Sequence, residues 1–298
     1  MSAHPPPDAA ARAPRAPVSA VVTTLDNAAT LGACLDSVRW CDEIVVLDSG
    51  STDATRAIAE LAGARVSIQP FAGYGPQKQS AIDQAAHDWT LLLDADEVLS
   101  EAGRAAIERE LAAPRADGYR LPRREWLFWR WPHPATRPNW QLRLFRRACG
   151  AMNTVPVHAA PEVRGRVLDL DAPFDHHGEH SLAVRVDKVN RYSSGLVAHK
   201  RRKRVRALGL RVALYPTFAF WRIYVGKRYF LNGWAGFLAA RVAAFYAFLK
   251  YAKVLEARDA LRHPRQRCQA PATHQSRSGD TAASASRASS TLAYLRKA

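Results

Sequence analysis

The feature that most constrains the fold is an apolar run at residues 89–97 that ends abruptly in carboxylates. Three consecutive leucines follow Trp89 and Thr90, and such a run is typical of a strand buried on both faces in a parallel sheet. Asp94 and Asp96 come next, separated by one alanine. Because residues i and i+2 of an extended segment point the same way, we expect both carboxylates to face one point.

Two carboxylates aimed at one point repel each other unless a cation lies between them. Hard divalent ions bind carboxylate oxygens, and Mg²⁺ or Mn²⁺ commonly bridges protein carboxylates to substrate phosphates. The pair therefore predicts a divalent-metal site with Asp94 and Asp96 as ligands. For an isolated Asp-x-Asp the alternative interpretation is a polar loop after a strand, so the rest of the chain has to distinguish the two.

The chain before this run alternates short apolar strands with amphipathic helices, which indicates an α/β fold with a mainly parallel sheet and helices on both faces. The predicted strands cover residues 18–24, 43–47, 65–68 and 89–94, and the predicted helices cover residues 30–38, 51–62 and 77–86. Ligands of such sheets bind at the carboxyl ends of the strands. Four acidic residues follow these ends: Asp26, Asp48, Asp94 and Asp96. We therefore expect an acidic ligand site at one rim.

Five segments occur in an order and spacing that can be compared with known families: residues 21–27, 48–53, 75–79, 93–97 and 140–146. They closely resemble the motifs of family 2 glycosyltransferases of the GT-A fold. Within that family the chain looks most like the bacterial lipopolysaccharide-core glucosyltransferase group. The Gly-x-Gly-x-x-Gly and Gly-Lys-Ser/Thr motifs of NAD-binding and ATP-hydrolysing folds are missing from the sequence, which disfavours both activities.

The resemblance implies a nucleotide-sugar donor and assigns roles by position. Asp48 would accept a hydrogen bond from the nucleobase, and Thr24 and Asp26 would line the same pocket. Lys78 would approach the diphosphate, although a solvated lysine in the first turn of a helix is the alternative for that residue. Asp53 is different, since an Asp early in a helix is expected to bind free backbone N–H groups.

The same resemblance implies that Asp94 lies near the ribose and the metal, and that Asp96 binds the metal directly. The general base must be a carboxylate in the acceptor half. Relatives often show Val-His-Glu where residues 157–162 read Val-His-Ala-Ala-Pro-Glu. The glutamate of this motif is thus displaced along the chain to Glu162, which is the predicted base. His158 and Glu125 are the alternatives.

The charge of the chain is divided unevenly. Residues 18–118 hold 7 Lys and Arg against 16 Asp and Glu, whereas residues 119–298 hold 34 against 10. The basic half is expected to meet something anionic, such as phospholipid, a phosphorylated glycan or nucleic acid. Residues 119–149 are also dense in Trp and Arg, which indicates an acceptor platform or, alternatively, strand edges that cover a core.

A histidine-rich run at residues 175–180 contains His-x-x-x-His. Gly178 is a poor helix residue, so the spacing does not predict a helical metal site. We expect instead a loop that ends the sheet domain and places one histidine in the site.

The C-terminal part of the chain is predicted to be helical. A basic cluster at residues 200–206 precedes two apolar segments, 208–224 and 236–251. Charged residues interrupt both segments, so neither reaches the ~20 uncharged residues that cross a bilayer. Apolar helix faces beside Lys and Arg suit an anionic membrane surface, and a helical hairpin packed on the sheet is the alternative; both can hold.

These patterns predict four regions. Residues 1–17 form a disordered lead, residues 18–180 the GT-A domain, residues 181–257 a helical membrane-associating extension, and residues 258–298 a disordered tail.

We expect an inverting glycosyltransferase that moves a sugar from a nucleotide-sugar, in particular a UDP-hexose, to a lipopolysaccharide-core or related envelope glycolipid. It would use Mg²⁺ or Mn²⁺ and lie peripherally on the inner, cytoplasmic face of the membrane. A polyprenyl-phosphate sugar transferase with the same nucleotide site is the alternative. A basic, non-catalytic protein that binds nucleic acid through residues 119–206 is a more distant one. It leaves the acidic rim unexplained, so no nucleic-acid partner is expected.

Overall fold

The computed structural model describes residues 14–155, 159–178, 181–202, 205 and 207–262. The chain divides into two compact units. The first contains a nine-stranded sheet and the helices that cover it. The second contains the chain from residue 178 onward together with residues 126–137, which connect two strands of the first unit.

The elements of the first unit alternate strands and helices before they become mostly strands. In chain order they are β1 Val18–Thr24, α1 Leu31–Ser37, β2 Glu43–Asp48, α2 Thr55–Leu61, β3 Arg65–Ile68, α3 Tyr74–Asp83, β4 Trp89–Asp94, β5 Glu97–Leu99, α4 Glu101–Ala112, β6 Gly118–Glu125, β7 Asn139–Arg146, β8 Gly150–Met152, β9 Pro161–Val163, β10 Val167–Asp169 and β11 Phe174–His176. The described part of the second unit is helical, with α5 Leu182–Gly195, α6 Val197–Arg202, α7 Leu208–Tyr224, a 3₁₀ turn Tyr229–Asn232 and α8 Gly233–Arg262.

Four adjacent strands of the main sheet are parallel, in the order β3-β2-β1-β4. The register pairs Thr24 with Asp48 and Thr23 with Asp94, so β1, β2 and β4 end at the same edge. Beyond β4 the sheet is mixed, because β7 is antiparallel to both β4 and β6, whereas β11 is parallel to β6. The predicted mainly parallel α/β sheet with a C-terminal helical region is therefore confirmed.

The central strands are buried on both faces. Leu91 and Leu93 of β4 pack on the side of α1 and α4, whereas Leu92 packs against Ala81 and Ile82 of α3. All three leucines have no exposed surface. Burial of each side chain contributes roughly 1.5–3 kcal/mol, which explains why the apolar run forms the middle of the sheet rather than an edge.

Helix α2 begins at Thr55, three or four residues later than predicted. The preceding residues form a loop instead, in which Gly50 has a φ of 100°, a conformation that favours glycine. Asp53 accepts a hydrogen bond from the N–H of Thr55, at the first residue of the helix, as predicted. Helix α3 begins earlier than predicted, at Tyr74, because Pro76 fits the first turn of a helix.

The segment from Asp94 to Asp96 is not extended. Strand β4 ends at Asp94, and Ala95 and Asp96 form a turn before β5 begins at Glu97. Strand alternation therefore does not govern the directions of the two carboxylates, and a shared metal site at Asp94 and Asp96 stays a prediction. The tight return of the chain into β5, which pairs with β11, sends the two side chains to different partners.

In the second unit α7 and α8 pack as an antiparallel pair. Leu208, at the start of α7, packs with Val254, whereas Phe220, near the end of α7, packs with Ala240. Helix α8 continues through Arg262. The prediction of a disordered tail from residue 258 is therefore wrong for residues 258–262, which belong to the helix. Among the described helices, none combines the length and the low polarity needed to cross a membrane.

Candidate active site

The loop after β2 encloses the Asp48 carboxylate. Asp48 is fully buried, and its Oδ2 accepts hydrogen bonds from the N–H groups of Gly50 at 3.0 Å and Ser51 at 2.8 Å. Its Oδ1 accepts a further bond from the Ser51 hydroxyl. These bonds hold the loop in shape, and the predicted contact of Asp48 with a nucleobase stays a prediction.

The loop after β1 is bonded to the loop after β2. The Asp26 Oδ1 accepts a hydrogen bond of 2.8 Å from the Thr52 N–H, and the Asp26 N–H donates one of 2.8 Å to the Ser51 hydroxyl oxygen. The Thr24 hydroxyl, nearly buried, donates to the Asn27 side chain at 3.3 Å. Thr24, Asp26 and Asp48 are thus brought to one rim, as predicted from the strand ends.

Asp94 is ion-paired on both of its oxygens. Its Oδ1 contacts the Lys78 ammonium, and its Oδ2 accepts a hydrogen bond of 3.2 Å from Arg143 Nη2. Burial would raise the pKa of the Asp94 carboxyl, but Lys78 and then Arg143 hold it well below its usual range. Asp94 is therefore an anion placed between two cations.

Arg143 of β7 joins Asp94 to the next carboxylate of the motif. Glu97 has no exposed surface; its Oε1 contacts Arg143 Nη2, and its Oε2 accepts a 3.1 Å hydrogen bond from the Asp94 N–H. Arg123 of β6 lies 3.6 Å from the same Oε1. Burial would lower the pKa of Arg143, but Glu97 and Asp94 raise it, so the side chain is a buried cation.

Asp96 faces a different partner, His176 at the end of β11. Asp96 Oδ2 lies 3.2 Å from His176 Nε2, and His176 Nδ1 lies 3.8 Å from Glu125 Oε1. Burial would lower the pKa of His176, but the hydrogen bond to Asp96 raises it. One histidine of the 175–180 run thus contacts the carboxylate of Asp96, but His176 belongs to a strand and not to the expected loop. His180 lies outside the described residues.

The fit of a divalent metal can be tested on this geometry. In the described part of the chain no three His, Cys, Asp or Glu side chains are arranged as a complete metal site. Asp96 and His176 nevertheless present a carboxylate oxygen and an imidazole nitrogen 3.2 Å apart, and this donor pair suits Mn²⁺ or a similar ion. Asp94 is occupied by its two cations, so its role as a metal ligand stays a prediction.

The predicted general base lies on a separate small sheet. Glu162 is in β9, which pairs with β8, and its carboxylate accepts a 3.2 Å hydrogen bond from the Asn153 side chain. Glu125, named above as an alternative, lies within the ionic cluster and accepts a 3.2 Å hydrogen bond from Arg123. The other alternative, His158, is outside the described residues.

The Trp-rich connection between β6 and β7 belongs to the second unit. Leu127 and Phe128 pack with alanines of α8, and the buried Asn232 accepts a 2.7 Å hydrogen bond from the His133 N–H. Leu127, Phe128 and His133 therefore have a structural role, and the acceptor platform formed by the Trp and Arg side chains stays a prediction. Trp129, by contrast, is 58% exposed.

Sequence patterns did not identify two central members of the cluster. Arg143 lies within a family motif, and a charged residue between Leu142 and Leu144 in a strand is itself a signal of a buried ionic contact. Glu97 directly follows the Asp-x-Asp motif, and its complete burial is not visible in the local sequence pattern. The partners of both residues lie on strands that are distant in sequence.

The chain has the α/β sheet, the acidic rim at the strand ends and the C-terminal helices that are expected of a GT-A glycosyltransferase. The sequence model of the family described as glycosyl transferase family 2 matches residues 19–158. The lipopolysaccharide core biosynthesis glycosyltransferase LpsC of Rhizobium meliloti (strain 1021) is 33% identical over 252 residues, which are 82% of this chain and 93% of that protein. The chain therefore belongs to glycosyl transferase family 2, and its likeness to a lipopolysaccharide-core enzyme is confirmed.

Two solved structures show a lower similarity. TarS 1-349 of S. aureus is 15% identical and has a TM-score of 0.43, with 84% of this chain and 92% of that chain covered. Glucosyl-3-phosphoglycerate synthase of Mycobacterium tuberculosis, in complex with Mn²⁺ and UDP-glucose, is 25% identical with a TM-score of 0.33, and the match covers 37% of this chain and 44% of that chain.

Proposed function

We propose that this glycosyltransferase moves a sugar from a UDP-hexose to a lipopolysaccharide-core or related envelope glycolipid, with inversion at the anomeric carbon. Membership of family 2 supports the inverting chemistry, and the likeness to LpsC over most of both chains supports the acceptor class. The observation that carries the proposal is the rim of the parallel strands. There Asp26 and Asp48 are joined through Ser51, and Asp94 contacts both Lys78 and Arg143.

For the donor, Thr24, Asp26 and Asp48 are proposed to line the nucleobase pocket between the loops after β1 and β2. Lys78 is proposed to bind the diphosphate. Its ammonium is paired with Asp94, so an arriving diphosphate competes with that carboxylate for one cation.

Mg²⁺ or Mn²⁺ is proposed to bind at Asp96 and His176, with Asp94 close by. When bound, such an ion stabilises the negative charge of the departing diphosphate. His176 must release its proton before its Nε2 can act as a ligand. Arg143 contributes a second, permanent positive charge behind Asp94.

The acceptor hydroxyl must lose a proton during transfer. Glu162 is proposed as the general base from the family motif, and Glu125 is its rival because it lies beside His176. The helical extension over residues 181–257 is proposed to hold the enzyme peripherally at the inner face of the cytoplasmic membrane.

The decisive experiment measures thermal unfolding with UDP, with and without Mn²⁺, for the wild type and Asp96→Asn. A hundredfold excess of ligand over its Kd should raise the Tm of the wild type by about 5 °C or more. Asp96→Asn should lose the Mn²⁺-dependent part of this shift. Asp36→Asn is the matched control, because Asp36 is an exposed acid on α1, paired with Arg39.

Transfer activity then tests the acceptor and the metal. UDP release should require a lipopolysaccharide-core acceptor and a divalent ion, and it should be absent in Asp96→Asn. Full activity in EDTA would contradict the metal proposal. Transfer to polyprenyl phosphate in place of the core acceptor would contradict the acceptor class while leaving the donor site in place.

A further inference from the structure

Helix α7 carries a continuous stripe of exposed apolar side chains. Its members are Leu210, Leu214, Phe218 and Trp221, together with Val225 directly after the last helical residue, each between 52% and 61% exposed. Their spacing of three or four residues puts them on one face of the helix. Single exposed apolar residues are ordinary on a protein surface, but a contiguous row of five marks an interaction site.

The stripe is not the core-facing side of a loosely packed helix. Helix α7 already buries another face against α8 through residues such as Leu208 and Phe220, which are at most 9% exposed. The side chains of the stripe therefore belong to a second apolar face of the same helix. Such a face needs a partner outside the described part of this unit.

The charge around the stripe identifies the class of partner. Residues 207–255 contain no Asp or Glu and seven cations: Arg211, Arg222, Lys227, Arg228, Arg241, Lys250 and Lys253. Arg211 and Arg222 directly follow stripe residues Leu210 and Trp221, so each lies about 100° around the helix, along one flank of the stripe. An apolar row flanked by cations, with no anion nearby, matches an anionic lipid surface.

We propose that α7 lies in the plane of an anionic bilayer surface, with the Leu210–Val225 stripe inserted among the acyl chains and the arginine flank at the phosphates. The helix has 17 residues and is therefore about 25 Å long. This inference rests on the proposed function only in that a glycolipid acceptor lies in such a membrane. It goes further by naming the surface that meets the lipid.

The test is co-sedimentation of the full chain with vesicles, without donor, acceptor or metal. Vesicles of phosphatidylethanolamine and phosphatidylglycerol at 3:1 are compared with pure phosphatidylcholine. The double variant Leu214→Ser/Phe218→Ser should lower the partition coefficient on anionic vesicles by about tenfold or more. Arg222→Gln should lower it by about fivefold at low salt and have less effect as salt rises.

Two matched variants serve as controls. Leu61→Ser changes an 87% exposed leucine on α2, and Arg39→Gln removes an exposed cation near the end of α1. Neither should change vesicle binding. Because all these side chains are exposed, melting temperatures should stay near that of the wild type, which separates lost binding from lost folding.

Undiminished binding of the stripe variant would overturn the proposal. So would a wild-type dimer that the stripe variant turns into a monomer while vesicle binding persists, since the stripe would then join two copies of the chain. Vesicle binding uses no donor, so failure of the proposed transfer reaction leaves this result unaffected. Conversely, transfer to a detergent-solubilised acceptor would continue if only the membrane surface is wrong.

Discussion

Arg143 and Arg146 lie three residues apart on β7 in opposite environments. Arg143 is 5% exposed and contacts Asp94 and Glu97, whereas Arg146 is 47% exposed and pairs with Asp88 at the surface. Removing one partner of a buried ion pair leaves an uncompensated charge. Arg143→Met should therefore destabilise the protein by about 3–5 kcal/mol in denaturant unfolding.

Arg146→Met is the matched control and should have little effect, because exposed ion pairs contribute little to stability. Combining Arg143→Met with Glu97→Gln should restore part of the lost stability, since it removes the stranded anion. If Arg143→Met and Arg146→Met destabilise the protein equally, the buried ion pairs contribute no more to stability than the exposed pair.

Asp48 tests two roles at once. If Asp48 binds the nucleobase, Asp48→Ala should weaken UDP binding by roughly 10- to 100-fold. Because Asp48 also accepts hydrogen bonds from the Gly50 and Ser51 N–H groups, the same variant should lose about 1–3 kcal/mol of folding stability. Calorimetric titration with UDP and urea unfolding measure the two effects separately.

Ser51→Ala removes one hydroxyl from the loop and leaves the Asp48 carboxylate in place. If UDP affinity falls equally in both variants, loop shape rather than a direct contact governs binding. Unchanged affinity in Asp48→Ala would exclude the nucleobase role.

The general base is distinguished by two conservative variants. A base acts only in the transition state, so its replacement should lower kcat by roughly 10²-fold or more while UDP affinity holds. We expect this result for Glu162→Gln under single-turnover conditions with saturating donor. If turnover of that variant stays within about threefold of the wild type and Glu125→Gln shows the large loss, Glu125 is the base.

At the scale of secondary-structure elements, a buried carboxylate of α4 is hydrogen-bonded to β6 of the sheet. Glu110 is 7% exposed and accepts hydrogen bonds from the Tyr119 hydroxyl at 2.6 Å and from Arg115 Nη2 at 2.7 Å. The Arg115 hydrogen bond lowers the pKa of Glu110 below its usual value. A lowered pKa means that the ionised form stabilises the folded state.

This stabilisation should be complete above the unfolded pKa of about 4.3 and lost as the pH falls through the lower folded pKa. Glu110→Gln should thus cost about 1–3 kcal/mol at pH 7. The difference from the wild type should shrink below about pH 4 in urea unfolding. Glu101→Gln, on the exposed first turn of the same helix, is the control and should change the stability little, because exposed ion pairs contribute little. If the stability difference between Glu110→Gln and the wild type persists at low pH, it comes from packing and not from the charge of Glu110.

At the scale of the whole molecule, the positive charge is concentrated after residue 118, where 34 Lys and Arg stand against 10 Asp and Glu. Such a surface attracts any polyanion at low salt, so weak nucleic-acid binding by itself says nothing about function. We expect binding to a 20-base-pair duplex to fall steeply between 50 and 200 mM salt and to show no sequence preference, as fluorescence anisotropy can measure. A hundredfold preference for one sequence at physiological salt would contradict the absence of a nucleic-acid partner.

The sequence by itself determined the class of fold and the position of the acidic rim. Apolar runs such as residues 89–93 predict buried parallel strands, and the carboxyl ends of parallel strands share one edge. Thr24, Asp48 and Asp94 therefore had to meet at one rim. The family also followed from sequence, because its motifs lie in local segments with a fixed order.

The tertiary structure alone decided which charges pair. Asp94 with Arg143 and Asp96 with His176 are contacts between residues far apart in the chain. Local periodicity reports which side chains are buried but not which strands become neighbours, and here the pairing of β7 with β4 and of β11 with β5 sets the partners. A turn at Ala95 then separates two carboxylates that strand alternation would have aligned, because the chain returns at once into β5.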